Sequence, residues 1–268
     1  MKAGILPVRI GGLGNQIFIV VAAYIVARVR EVPLYINDMV CEAHQTVKED
    51  YSKTIFSFCR RIPYTPPYTP FSPAGFCVWS PYDVSPGTAM ASYFQYYPAI
   101  APYEKEIRAL LLTGLESYRR GTSAGKGKAF IHVRRGDYLT LDHIHYVQPI
   151  EYYMNAVGRF PPDMKFLVFS DDLDWVRSQE FFLGERFELV EGNELENLAL
   201  MTLCTSGAVC SNSTFGWWGA FLGPHGRRSP VIVPARWINP EYVQSEEWNS
   251  VDGIKIPPLF PEDWIILP

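Results

Sequence analysis

The sequence predicts an α/β protein whose second half carries a parallel sheet, on three observations. From residue 129 onward, short apolar runs alternate with segments of helical spacing, the pattern of βαβ units. Near the start, an apolar run at 4–10 leads into Gly11-Gly12-Leu13-Gly14-Asn15-Gln16 and then a long helical pattern, 17–30. Between these regions, 119–128 (RRGTSAGKGK) is rich in glycine and basic residues and poor in apolar ones, which marks a linker. The domains that follow are 1–125 and 126–268.

Taken in order, 4–10 reads as a strand, and Asn15 is placed as N-cap of the helix at 17–30, whose dipole brings partial positive charge to that end. Strand, glycine-rich turn and helix N-terminus make a generic anion cradle. The turn is neither GxGxxG as read for dinucleotides nor followed by GK[ST], and a turn that merely lets helix and strand pack closely is the competing reading. A second strand is expected at 33–37. Between 39 and 87, Pro63, Pro66, Pro67, Pro70, Pro73, Pro81 and Pro86 interrupt a run of aromatics, giving loop, edge and short helix. That segment reads either as an acceptor pocket or as a packed irregular subdomain. An aromatic run at 91–97 reads as a short strand, and 103–112 as a helix.

Beyond the linker the elements are regular. Strand 129–133 ends in Arg134-Arg135-Gly136-Asp137, and a loop covers 139–148. Pro149 opens a helix to 157, the favoured early position for proline. Strand 165–170, helix 173–179, strand 186–190, helix 194–203 and strand 207–210 follow. A helix begins near Phe215, and a last strand is read at 231–233. Ser170-Asp171-Asp172 and Ser211-Asn212-Ser213-Thr214 are in place to cap helices.

Parallel sheets bind ligands at the carboxyl ends of their strands. His132, Arg134, Arg135, Ser170 to Asp172 and Ser211 to Thr214 all fall there. The two arginines follow apolar residues directly and need an anion. The guanidinium fork suits phosphate, and carboxylates from elsewhere in the chain are the competing partners. Ser213 and Thr214, at a helix start, suit a phosphate. Asp171 and Asp172 have the wrong sign for phosphate and are read as acceptors from a base or sugar hydroxyls, or as helix caps. The sum is a site for a small phosphorylated ligand.

Composition narrows the partners. With 48% hydrophobic and 19% charged residues over 268 positions, the chain is globular. A net charge of −4 provides no basic field for nucleic acid. Cys41, Cys59, Cys77, Cys204 and Cys210 show no CxxC spacing, which argues against a zinc site or a disulfide framework and for a reducing compartment. No signal peptide is read at the N-terminus, and the apolar run 17–26 is too short for a membrane span.

The motifs GGLGNQIF (11–18), HVRRGDY (132–138), FSDDLDW (169–175), SNSTFGWWGAFL (211–222), VIVPARW (231–237) and PEDW (261–264) resemble those of the α-1,2-fucosyltransferases of glycosyltransferase family 11. The resemblance implies a GT-B-like fold, two Rossmann-like domains facing a cleft. The acceptor side would be 1–125, and the GDP-fucose side 126–268. It implies inverting transfer of L-fucose from GDP-fucose to a hydroxyl of a glycan acceptor, O-2 of a terminal galactoside, without metal or other cofactor. A different fucose linkage or nucleotide sugar is the alternative. The lack of a membrane anchor in the sequence leads to the expectation of a soluble, cytoplasmic enzyme of bacterial or viral type.

By the same resemblance, Arg134 binds the β-phosphate and His132 lies near the guanine or its phosphates, with Arg135 beside them. Ser213, Thr214 and Phe215 close on the phosphates, while Gly14 and Asn15 face the donor across the cleft. The chain departs from the pattern at Asn197, where the family's aspartate would grip the guanine edge; Glu194 or Glu196 is the expected substitute. Asp142, ten residues beyond His132, matches the catalytic acid of α-1,6 relatives and is the first choice as general base, with Asp137 second. His143 and His145 are read as exposed loop histidines.

Overall fold

The structure, a computed structural model, describes residues 2–37, 51–73, 78–224, 229–239, 241, 249–251 and 254–268. Cys41, Cys77 and parts of the expected acceptor segment (39–50 and 74–77) lie outside the described residues. The chain divides into two compact units: Met1–Ser117 with Pro258–Pro261, and Tyr118–Pro257 with Glu262–Pro268.

The change of unit precedes the sequence expectation of 125/126 because the glycine- and lysine-rich stretch is not a free linker. Gly127 N donates to Thr205 Oγ1 at 2.9 Å, and Ser206 N donates to Lys128 O at 3.0 Å. A Cβ on Gly125 would lie 2.6 Å from the Leu203 carbonyl carbon, so here glycine serves close packing rather than flexibility. The C-terminal domain expected as a continuous 126–268 is likewise interrupted, since Pro258–Pro261 belongs with the first unit. There Tyr97 N donates to Pro258 O at 3.1 Å.

The first unit contains β1 (Ile5–Pro7), α1 (Leu13–Arg30), β2 (Tyr35–Asn37), β3 (Arg60–Ile62), β4 (Thr69–Phe71), β5 (Thr88–Met90), α2 (Tyr97–Ile100) and α3 (Glu104–Gly114). Helix α4 (Glu116–Arg119) crosses the boundary. Strands β1, β5 and β4 pair in parallel in the order β1-β5-β4, β2 pairs with β3, and an Ile5–Leu34 bridge connects the two sets. Pro70 is accommodated because β4 is an edge strand, where a missing donor breaks no ladder.

Helix α1 starts at Leu13, so Asn15 is inside its first turn and not the N-cap; Gly12 is. The helical ladder already begins with Gln16 N donating to Gly12 O at 3.1 Å. With 18 residues and a mean hydropathy of 1.4, α1 has the length and composition to cross a membrane, but 72% of it is buried within the fold, as in a core helix. The expected strand at 91–97 is absent. Pairing stops at Met90, and Phe94 takes a left-handed φ of 53°. Its fully buried ring lies 5.7 Å from Trp79, and its carbonyl accepts from Trp79 Nε1 at 3.3 Å, so aromatic packing overrides the strand-like pattern.

The second unit runs β6 (Ala129–Val133), α5 (Ile150–Val157), β7 (Phe166–Ser170), α6 (Leu173–Ser178), β8 (Phe187–Leu189), α7 (Glu194–Met201), β9 (Ala208–Cys210), α8 (Thr214–Leu222) and β10 (Val231–Pro234). A hairpin of β11 (Asn249–Val251) and β12 (Ile254–Ile256) precedes β13 (Ile265–Leu267). Six strands form one parallel sheet in the order β13-β10-β9-β6-β7-β8. Strands β6, β7, β9 and β10 are nearly continuous buried apolar runs, as sheets covered on both faces require. From β6 the chain first winds outward to β8 and then returns to β9 on the other side. The strand order therefore reverses between β6 and β9, the switch point where such sheets leave a crevice at the strand ends.

Candidate active site

Arg134 is the first residue beyond β6 at this switch point. Its Nη2 donates to Asp137 Oδ1 at 2.7 Å, and its Nε lies 3.1 Å from Asp171 Oδ2. Burial alone would lower the Arg134 pKa, but the two carboxylates outweigh it and the net shift is upward. The side chain nevertheless remains 26% exposed. A cation braced by two carboxylates and still open to solvent is held in position before any ligand arrives.

Arg135 is arranged differently. Its Nε donates to Asp172 Oδ2 at 3.2 Å, and its guanidinium lies 4.1 Å from the Trp175 ring centroid. Its backbone N–H donates to Asp171 Oδ1 at 2.9 Å. Asp172 Oδ1 accepts from Trp175 N at 3.0 Å and so caps α6. Of the two readings of Asp171 and Asp172, acceptors from a base or sugar hydroxyls or helix caps, Asp172 takes the second, and the remaining oxygens face the arginine turn.

Gly136 lies against the same carboxylate: a Cβ there would stand 2.4 Å from Asp171 Oδ2. Gly136→Ala is therefore expected to displace Asp171 from Arg134. Turnover should fall at least about tenfold, while the melting temperature moves by only a few degrees, because the turn is at the surface. Parallel assays of transfer and thermal unfolding check this; unchanged turnover would show that the Asp171 contact is dispensable.

His132 is buried, with Nδ1 3.1 Å from Ser211 Oγ. Burial, helped by the Arg134 charge, pushes its pKa down to about 3, so the ring is neutral. Its centroid lies 5.6 Å from that of Phe215, which ties the end of β6 to the start of α8. Ser213 is the N-cap of α8, accepting at Oγ from Phe215 N at 3.3 Å, and Thr214 and Phe215 are half-buried at that helix start. The structure thus brings His132, Arg134, Arg135, Asp137, Asp171, Asp172, Ser213, Thr214 and Phe215 to one end of one sheet.

Other expected residues are placed differently. Glu196 closes a capping box at the start of α7: its Oε2 accepts from Asn193 N at 2.9 Å, while Glu196 N donates to Asn193 Oδ1 at 3.0 Å. Asn197 Nδ2 donates to Gly192 O at 3.1 Å. Asp142 is exposed, with its backbone carbonyl accepting from Asn239 Nδ2 at 3.3 Å. His143 is exposed, but His145 is half-buried and stacked on Tyr138, contrary to its reading as an exposed loop residue. Gly14 and Asn15 belong to the first unit, where Asn15 Oδ1 accepts from Gln95 Nε2 at 3.1 Å.

The sequence reading missed Asn212 as the anchor of this end of the sheet. Its Nδ2 donates to Tyr146 O at 2.8 Å and to Trp237 O at 2.9 Å. Its Oδ1 accepts from Gln148 Nε2 at 3.3 Å, and its backbone carbonyl accepts from Tyr138 Oη at 2.9 Å. One buried residue therefore joins the 146–148 loop and Trp237 through its side chain, and the turn after β6 through its backbone carbonyl. The available signal was its place between two serines directly after a buried strand, where an amide has backbone groups to satisfy.

Comparison with solved structures identifies the fold class. The chain superposes on the α-1,6-fucosyltransferase NodZ soaked with GDP-fucose with a TM-score of 0.51 at 12% identity, covering 84% of this chain and 94% of that one. The fold is therefore GT-B-like α/β. Residues 92–252 match the model of glycosyl transferase family 11, and the chain belongs to that family. Among curated relatives, it is 28% identical over 192 residues to the Escherichia coli O-antigen biosynthesis glycosyltransferase WbnK, covering 63% of this chain and 62% of the relative. It is 30% identical over 145 residues to an Escherichia coli alpha-1,2-colitosyltransferase, covering 50% and 46%. The third relative, Bos taurus galactoside alpha-(1,2)-fucosyltransferase 1, is 32% identical over 126 residues, covering 41% and 33%. The matches span less than two thirds of the length of each of these relatives.

Proposed function

We propose that the protein is an inverting glycosyltransferase that moves L-fucose from GDP-fucose to a hydroxyl of a glycan, O-2 of a terminal galactoside, without a metal. Family membership supports the class. The observation that carries the reading is Arg134, braced by Asp137 and Asp171 at the switch of a parallel sheet and still partly open. When the bond from the fucose anomeric carbon to the β-phosphate oxygen breaks, its electron pair stays on the phosphate. A guanidinium already fixed there stabilises that charge without reorganisation. The N-terminus of α8, with Ser213, Thr214 and Phe215, serves the same anion. The acceptor oxygen bonds to the anomeric carbon from the opposite face, which inverts it, and its proton passes to a base.

Asp137 is engaged by Arg134, whereas the Asp142 carboxylate is exposed on the loop beyond it, which favours Asp142 as the base. Asp142→Asn is expected to cut transfer at least about 10²-fold while GDP affinity changes less than about threefold. Transfer kinetics and calorimetry with GDP check this, and undiminished transfer would remove Asp142 from the role.

A second reading, another sugar on the nucleotide, draws on the similarity to the colitosyltransferase. The primary test is GDP release from GDP-fucose, with and without lactose, in excess chelator, beside a panel of other nucleotide sugars. Lactose-stimulated, chelator-resistant release supports the proposal; release only from another donor favours the second reading.

A further inference from the structure

The reaction just described leaves unused a stacked ring pair beside Arg134. His145 lies face to face with Tyr138, ring centroids 4.0 Å apart and planes 6° from parallel. The Arg134 guanidinium lies 5.4 Å from the centroid of the same Tyr138 ring, and Tyr138 Oη is fixed by Asn212 O at 2.9 Å. His145 is held by its own backbone, since its N–H donates to Leu141 O at 2.9 Å, and Asn239 N donates to the neighbouring Ile144 O at 2.8 Å. The loop beyond is tied down at Tyr146, whose carbonyl accepts from Asn212 and whose ring lies 5.1 Å from the Arg236 guanidinium. An ionisable ring and the Arg134 guanidinium thus both lie against Tyr138.

Its ionisable surroundings come from four stretches of the chain. Arg134 stands at the end of β6, Asp137 and Tyr138 belong to the turn after it, and His143 shares its loop; Arg236 lies on the segment packed against Tyr146. Burial first, then Arg134 and His143, push the His145 pKa down, while Asp137 acts in the opposite direction.

We infer that His145 is a second cationic partner for the anion that sits on Arg134, taking up a proton from solvent when that anion binds. The inference rests on the reading of Arg134 as a phosphate-binding group. In the empty site burial disfavours the imidazolium, and the Asp137 carboxylate opposes the Arg134 guanidinium. A diphosphate adds negative charge beside the ring and offsets that burial penalty, so the imidazolium becomes favourable. A group whose pKa is higher in the complex than in the free protein binds more protons in the complex. Affinity therefore rises as pH falls through the interval between the two pKa values, about tenfold for each unit by which the anion raises His145.

The test uses inorganic diphosphate and GDP, titrated calorimetrically from about pH 5.5 to about pH 8 in buffers of different ionisation enthalpy. Wild type is compared with His145→Phe, which keeps a ring on Tyr138 and removes the proton. Protonation of the phosphate itself is common to both proteins and cancels in the difference. The expected result is extra proton uptake by the wild type and a steeper gain in affinity toward low pH. The His145 ring resonance, assigned by its loss in His145→Gln, should shift its titration midpoint upward on adding diphosphate, a readout that does not depend on His145→Phe folding. Equal proton uptake, or an unmoved midpoint with diphosphate bound, overturns the inference and leaves the donor-site reading standing. Absence of diphosphate and GDP binding at every pH overturns both.

Discussion

Replacing Arg134 by alanine is expected to lower transfer from GDP-fucose by about 10²–10³-fold, roughly 3–4 kcal/mol on the barrier, while the fold persists. The size follows from where the charge stands. The guanidinium is fixed by Asp137 at 2.7 Å and by Asp171 at 3.1 Å, so in the proposed reaction it would stabilise the leaving diphosphate without first being ordered. The fold should persist because Asp171 keeps its second partner, the Arg135 N–H at 2.9 Å, and because Arg135 remains bound to Asp172 and stacked over Trp175. Steady-state assays beside circular dichroism separate the two effects. Wild-type-like turnover in Arg134→Ala would sink the donor-site assignment.

The largest stability effect should come from Asn212→Ala. The Asn212 side chain makes three hydrogen bonds at 1% exposure, and alanine leaves the Tyr146 and Trp237 carbonyls and the Gln148 amide short of a partner. Gln148 keeps one acceptor, Arg236 O at 2.8 Å, which limits the damage. A loss of about 3 kcal/mol is expected, a fall of roughly 6–12 °C in Tm for a unit of this size. Ser213 and Thr214 are next in the chain, so GDP affinity should fall with it. A Tm within about a degree of wild type would mean that water or a rearranged loop replaces the amide.

These two residues also mark the limit of what the sequence disclosed. The parallel strands of the second unit were legible because strands buried on both faces are short apolar runs, and β6, β7 and β9 are of that kind. Arg134 was legible because its charge interrupts such a run. What Asp171 and Asp172 bind was not, since a carboxylate read alone suits a hydroxyl, a helix end or a cation equally. Only the pairing of β6 with β7 brings them to Arg134 and Arg135. Glu196 has a second role that its neighbours spell out: Asn193 and Glu196 form a local capping signature at the start of α7. In the first unit, β3 and β4 are three residues each and too short to show a period, and Phe94 left its apparent strand for contacts with distant aromatics.

The return of Pro258–Pro261 to the first unit bears on how such proteins recombine. A single crossover near 117/118 between two relatives would pair one parent's 1–117 with the other parent's 258–261 and create a seam inside the first unit, at the place where Tyr97 meets Pro258. Exchange of the whole unit needs three junctions, at 117/118, 257/258 and 261/262. Chimeras made with all three should retain solubility that single-junction chimeras lose. Natural shuffling of the two units as independent cassettes should accordingly be rare.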